Sequence, residues 1–197
     1  STKRHSPMKK LLAGAAALAA VLIAVPAGTN AQSDAEIMLL HGIPGVTVDV
    51  AVDGAIVIPG FEPGMMQDLS AFAGETLENL EVRVAGTEDI AIGPVAEFAV
   101  PSSGSYTVVA HLDAEATPLT PFENDTSEVA DGFGRLTIRH TAAAPAVDIV
   151  LGDARPVENA SNGDSAGLDL PAGEIAGAQI APTGGDPIAD VPTVTLE

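Results

Sequence analysis

The stretch HGIPGVTVDVAVDG, beginning at His41, returns 99 positions later as HTAAAPAVDIVLGD, beginning at His140. Sliding the chain by 99 aligns residues 37–75 with 136–174 without a gap. Identities fall at His41/His140, Val48/Val147, Asp49/Asp148, Ala55/Ala154, Gly64/Gly163, Leu69/Leu168 and the AGE runs at 73–75 and 172–174. A repeat of this length constrains the fold more than any single motif, because both copies must fold by the same local rules. Those rules are legible in the alternation. Val46, Val48, Val50 and Val52 alternate with Thr47, Asp49, Ala51 and Asp53, and Val147, Ile149 and Leu151 hold the same parity. Strict period two belongs to half-buried strands, whose successive side chains point to opposite faces.

Similar runs recur in EIMLLH, LEVRVAG, AEFAV, SYTVVAHL, GRLTIRH and AVDIVL, separated by turn formers in VDGA (52–55), IPGFEPG (58–64), PSSG (101–104) and VADGFG (129–134). Outside the N-terminal apolar run, QDLSAFAGETLENL (67–80) comes closest to a helical period, and its Gly74 weakens it. Short strands at this spacing predict an all-β chain, read as two tandem Ig-like β-sandwich domains over 32–128 and 129–197. The second reads as truncated at its C-terminus. After AEFAV the first copy continues through PSSGSYTVVAHLDAEATPLTPFENDTS, whereas the sequence ends at Glu197 after TVTLE. A sandwich short of a strand leaves backbone N–H and C=O groups unpaired along an edge. The expectation is a piece of a longer protein, with a strand donated by a partner chain as the alternative.

Charge matters here through its placement. Lys3, Arg4, Lys9 and Lys10 precede the uncharged run LLAGAAALAAVLIAV (11–25), then Pro26 and small residues ending at Ala31. That order reads as a secretory signal cleaved after Ala31, and Met8 marks the first seven residues as an upstream extension. The apolar run is short of the roughly 20 residues a bilayer core requires, so no transmembrane segment is expected after cleavage. The chain has no cysteine, which excludes disulfide staples and a lipid-anchored form. Beyond residue 31 it carries four arginines, no lysine and all 27 acidic residues, a formal net charge of −23. Such a surface repels phosphate backbones and excludes nucleic acid as a partner.

Chemistry-bearing residues are few. In the second copy Leu136, Ile138 and His140 share a parity opposite to Thr137 and Arg139, so each repeated histidine is expected to end a strand on its core-facing side. There a neutral imidazole can bond a backbone carbonyl or a turn amide. Asp49 and Asp148 fall on the opposite parity, which separates them from the histidines and speaks against a catalytic pair. No G-x-S-x-G elbow or phosphate-binding loop is present, and beyond residue 31 only His41, His111 and His140 remain as imidazoles. The run ENDTSEVADG (123–132) supplies Glu123, Asp125, Glu128 and Asp131 as weak candidate ligands for Ca²⁺, but not in the order of an EF-hand loop. Asn124-Asp125-Thr126 and Asn159-Ala160-Ser161 match the short N-glycosylation pattern.

The pattern H-x-x-P-x-x-x-V-D-V-x-V-D-G (41–54), the segment SYTVVAHLD (105–113) and the junction FENDTSEVADGFGRLTIRHTAAAPAVDI (122–149) resemble proteins carrying the DUF4397 domain. The resemblance covers roughly residues 35–197. It implies a β-rich extracellular module of exported bacterial and archaeal proteins, often in tandem copies, and no catalytic residues to carry over. The usual H-x-S-P form is altered: His41 is followed by Gly42, Ile43 and Pro44, and the second proline slides to Pro145. His41, Pro44, Asp49, Gly54, His140, Pro145 and Asp148 are therefore read as a structural motif that fixes strand ends and turns. The expected function is that of a secreted or cell-surface, non-enzymatic structural or adhesive module, with cell-envelope components or other surface proteins as partners and no cofactor. A Ca²⁺- or polysaccharide-binding protein using the acidic loops is the alternative. Six aromatic residues leave little stacking surface for an extended glycan.

Overall fold

A computed structural model describes residues 35–112 and 119–197. The signal reading of residues 1–31 lies outside them. The described chain is all-β, with no α-helix and one 3₁₀ turn at Ser70–Phe72. Its first half contains β1 (Glu36–His41), β2 (Val48–Val52), β3 (Ala55–Phe61), β4 (Met66–Asp68), β5 (Thr76–Val84), β6 (Ile90–Ala99), β7 (Ser105–Ala110) and β8 (Leu119–Glu123). These form two four-stranded sheets, ordered β4-β1-β7-β8 and β3-β2-β5-β6. β1 runs antiparallel to β4 and parallel to β7, with Ile37, Leu39 and His41 in register with Tyr106, Val108 and Ala110.

The alternation in the sequence places the core. Ile37, Leu39, Val108 and Ala110 from one sheet and Val48, Val50, Leu80, Val82 and Ile92 from the other join in one buried cluster, closed by Phe61 and Leu119. Full burial of such side chains stabilises by about 1.5–3 kcal/mol each.

The second half contains β9 (Phe133–Arg139), β10 (Val147–Leu151), β11 (Ala154–Ala160), β12 (Ser165–Pro171), β13 (Gly173–Ile175), β14 (Ala178–Pro182), β15 (Ala189–Asp190) and β16 (Val194–Leu196). Its sheets are β11-β10-β14-β15, β12-β9 and β13-β16. Few of its side chains are fully covered: Val150, Val157 and Ala181 are its buried apolar residues. Arg139 of β9 stacks its guanidinium over the Phe122 ring of β8, 5.1 Å from the centroid, and donates to Asn124 Oδ1.

The 67–80 segment, whose helical period is weak, ends β4, makes the 3₁₀ turn and opens β5. Thr76 and Leu77 already pair with Ala99 and Phe98 there, and this ladder overrides a weak local preference. IPGFEPG does not begin a turn at Ile58, because β3 continues to Phe61. Pro59 is tolerated because β3 is an edge strand, and Gly60 at φ 61° marks an irregularity in the β2–β3 register.

Candidate functional site

The His41 motif is built from a strand end and a tight turn. Pro44 and Gly45 occupy the middle of the connection from β1 to β2, and Gly45 takes φ 76°. A proline followed by a residue at positive φ is the type II pattern. The turn brings the Val46 carbonyl to His41 Nε2 at 2.9 Å, while the Ile43 amide donates to Nδ1 at 3.1 Å. An acceptor on one nitrogen and a donor on the other fix the neutral tautomer with its proton on Nε2. Phe61 lies against the ring at 5.3 Å between centroids. Burial holds His41 below the ordinary imidazole range, opposed by the bond to Val46.

This geometry gives His41 a definite pH dependence. A lowered folded-state pKa means that the unfolded chain takes up the proton first. The stabilisation is complete above pH about 6.5 and is lost as pH falls from there toward the folded value. Chemical denaturation between pH 7.5 and 5 is expected to show this loss in the natural chain, and His41→Gln is expected to flatten that part of the profile. Equal profiles for the two would overturn the assignment.

Asp49 lies on β2 opposite the core-facing valines, yet it is buried. The irregular end of β3 and the connection after β5 fold over it: the Gly60 amide donates to Oδ1 at 2.7 Å and the Gly86 amide to Oδ2 at 3.0 Å. The Gly86 bond, then the Gly60 bond, hold its carboxyl below the usual range against the opposing effect of burial. One carboxylate thus ties three neighbouring strands of a sheet. Gly54, with Asp53 also at positive φ, makes the two-residue turn from β2 to β3, the I′ geometry that matches strand twist.

Corresponding bonds recur near His140. Its Nε2 donates to the Pro145 carbonyl at 3.2 Å. Pro145 stands 99 residues after Val46, so the displaced proline supplies the same carbonyl. Asp148 accepts from the Asn159 amide on Oδ1 at 2.7 Å and from the Gly184 amide on Oδ2 at 2.9 Å. These two bonds lower its pKa most, and Arg155 adds to them with an ion pair at 2.7 Å. The backbone repeats as well: the Gly64 and Gly163 amides donate to the His41 and His140 carbonyls, each at 2.8 Å.

The four acidic candidates do not assemble a cation site. Among the described residues no group of three or more His, Cys, Asp or Glu side chains is placed to hold a metal. Asp125 instead pairs with Arg135 at 2.8 Å and accepts from the Ser127 amide at 3.0 Å, and the same guanidinium binds Asp169 through two nitrogens. Arg135 also donates to the Asp125 and Ser127 carbonyls, taking up the oxygens a cation would need. Among the described residues Glu123, Glu128 and Asp131 join no such network.

Two features escaped the sequence reading. His111 is fully buried after β7, with its Nε2 2.8 Å from Thr120 Oγ1; it has no counterpart in the second copy to draw attention to it. The other is a largely apolar cavity of about 620 Å³ in the second half, lined by residues including Ile138, His140, Ile149, Ile180 and Val194. Only the expectation of an incomplete second copy pointed toward it.

The fold and its motif define a strand-built module whose repeated histidines and aspartates bond its own backbone. The family described as Domain of unknown function (DUF4397) matches residues 35–150, more than half of the chain. The chain belongs to that family. No curated protein matches it.

Proposed function

We propose that the protein is an exported, non-enzymatic structural or adhesive module made of two tandem DUF4397 domains of Ig-like sandwich type, acting at the cell surface on envelope components or other surface proteins. The observation that carries this reading is the engagement of the first copy's histidine and aspartate: both nitrogens of His41 and both oxygens of Asp49 are bonded to backbone groups. A general base must reach a substrate proton, and neither group is free to do so. The basic and apolar order of residues 3–25 supports export.

Expression of the full chain in a bacterial host, followed by fractionation and N-terminal sequencing, tests delivery. The expected product starts at Gln32 and is found outside the cytoplasm; an unprocessed cytoplasmic product would overturn the export reading. Co-sedimentation of that product with purified cell envelopes tests adhesion. Binding that persists in a chelator is expected. Loss of binding on chelation would restore the Ca²⁺ alternative, and no sedimentation at all would remove the adhesive role.

A further inference from the structure

No sheet joins the two halves: among the described strands β1–β8 pair only with one another, and so do β9–β16. Both halves are acidic, and beyond residue 31 the formal net charge is −23, so charge alone drives them apart. Between β8 and β9 runs a connector, residues 124–132, that itself carries Asp125, Glu128 and Asp131. A segment of this composition reads as a hinge. Its contacts are those of a clasp.

Arg135 and Arg139 share a parity on β9 opposite to Leu136 and Ile138, so both leave the strand on one face. Arg135 holds the connector. Its Nη1 donates to the Asp125 and Ser127 carbonyls at 3.1 and 3.2 Å and to Ser127 Oγ at 3.0 Å, while Nε and Nη2 remain on Asp169 of the neighbouring β12. Arg139 reaches the first half itself, stacking on Phe122 of β8 and donating to Asn124 Oδ1. Asn124 is in turn fastened to β7. Its Oδ1 also accepts from Thr107 Oγ1 at 3.1 Å, its Nδ2 donates to Ser105 Oγ at 3.0 Å, and its amide donates to the Ser105 carbonyl at 2.8 Å.

The chemistry of Arg139 sets it apart. Arg83, Arg135 and Arg155 each pair with a carboxylate, whereas Arg139 has none in ion-pair reach among the described residues. Its buried Nε has no hydrogen-bond partner there, and burial pulls its guanidinium below the ordinary arginine range. Half-burying a cation without a carboxylate is costly. The offset comes from a flat group that stacks on an aromatic ring and donates in its own plane at once, which an ammonium cannot do.

We propose that Arg135 and Arg139 form a latch that locks the two halves in one orientation, so that the pair moves as one piece and the connector does not bend. A load or contact taken up by one half then reaches the other through these side chains. The latch operates whatever the module binds and wherever it is delivered.

Backbone amide NMR relaxation of the full chain tests this, because it gives the tumbling time of each half separately. One common time is expected for the amides of β1–β8 and β9–β16. In the double variant Arg135→Met, Arg139→Met the halves are expected to tumble independently, each in roughly half that time, with the shifts of β2, β5, β10 and β14 unchanged. Arg83→Met, which removes the same charge beside Glu81, is expected to keep the common time. Digestion with a glutamate-specific protease gives a second readout: cleavage after Glu128 is expected to rise roughly tenfold in the double variant. Should that variant lose its second-half spectrum, Asn124→Ala removes the acceptor of Arg139 from the other side and is expected to separate the halves in the same way. Separate tumbling times in the natural chain, a common time kept by the folded double variant or by Asn124→Ala, or an equal effect of Arg83→Met would overturn the proposal.

Discussion

Leu39→Ala is expected to destabilise the first half by about 3 kcal/mol, and the same truncation at Ile138, 99 residues later, to cost less than about 1 kcal/mol. Both positions lie on the core-facing side of the first strand of their half. Leu39 is 4% exposed and packed between two sheets, so its loss leaves a void that a close-packed surround cannot fill. Ile138 already borders an open cavity, so its truncation removes some apolar burial and creates little new void. For a unit of this size, a 3 kcal/mol loss corresponds to a melting-point drop of about 15 °C. Tyr106 is the single tyrosine of a chain without tryptophan, and its fluorescence reports the first half; hydrogen exchange at β10 and β14 amides reports the second. Comparable losses at the two sites would mean that the second half is closed in solution.

Asp49→Ala is expected to be nearly as damaging, lowering the melting temperature of the first half by on the order of 10 °C, because it leaves two backbone amides without their acceptor. Gly60 lies in β3 and Gly86 in the connection after β5, so the loss frees both flanking strands of β2. The variant should also change the acid limb. Asp49 has a depressed folded-state pKa, so its contribution is full above the unfolded value of about 3.9 and is lost as pH falls below it. The natural chain should therefore lose stability steeply below pH 4, and Asp49→Ala, already weakened, should show a shallower slope there. Parallel acid limbs would show that the carboxylate is not what ties these strands.

The period-two runs disclosed β1, β2, β5, β7, β9 and β10, because each has one face on an apolar interior. β3 and β11 were harder to read. They are edge strands with mostly exposed side chains, and Pro59 and Pro156 resemble turn formers when the neighbouring strand is unknown. The histidine's place at a core-facing strand end followed from parity. The aspartate's partners did not, since backbone amides carry no side-chain signature. A trace existed: Gly60 and Asn159 both stand 11 residues after the aspartate and both take positive φ. The sliding proline is explained by the same physics. What His41 and His140 require is a carbonyl at a fixed position, which valine and proline supply equally.

The pairing of β1, β7 and β8 has a mechanical consequence. Glu36 is in register with Ser105, and Tyr106 with Glu123, so the chain enters and leaves the first half at the same end of one sheet. Tension applied between residues 36 and 123 therefore loads these ladders from one end and opens them pair by pair, as a zipper does. A shear geometry would make all the bonds yield together. Loaded in this direction, this half would act as a compliant link, lengthening under modest force and closing again when the load is released.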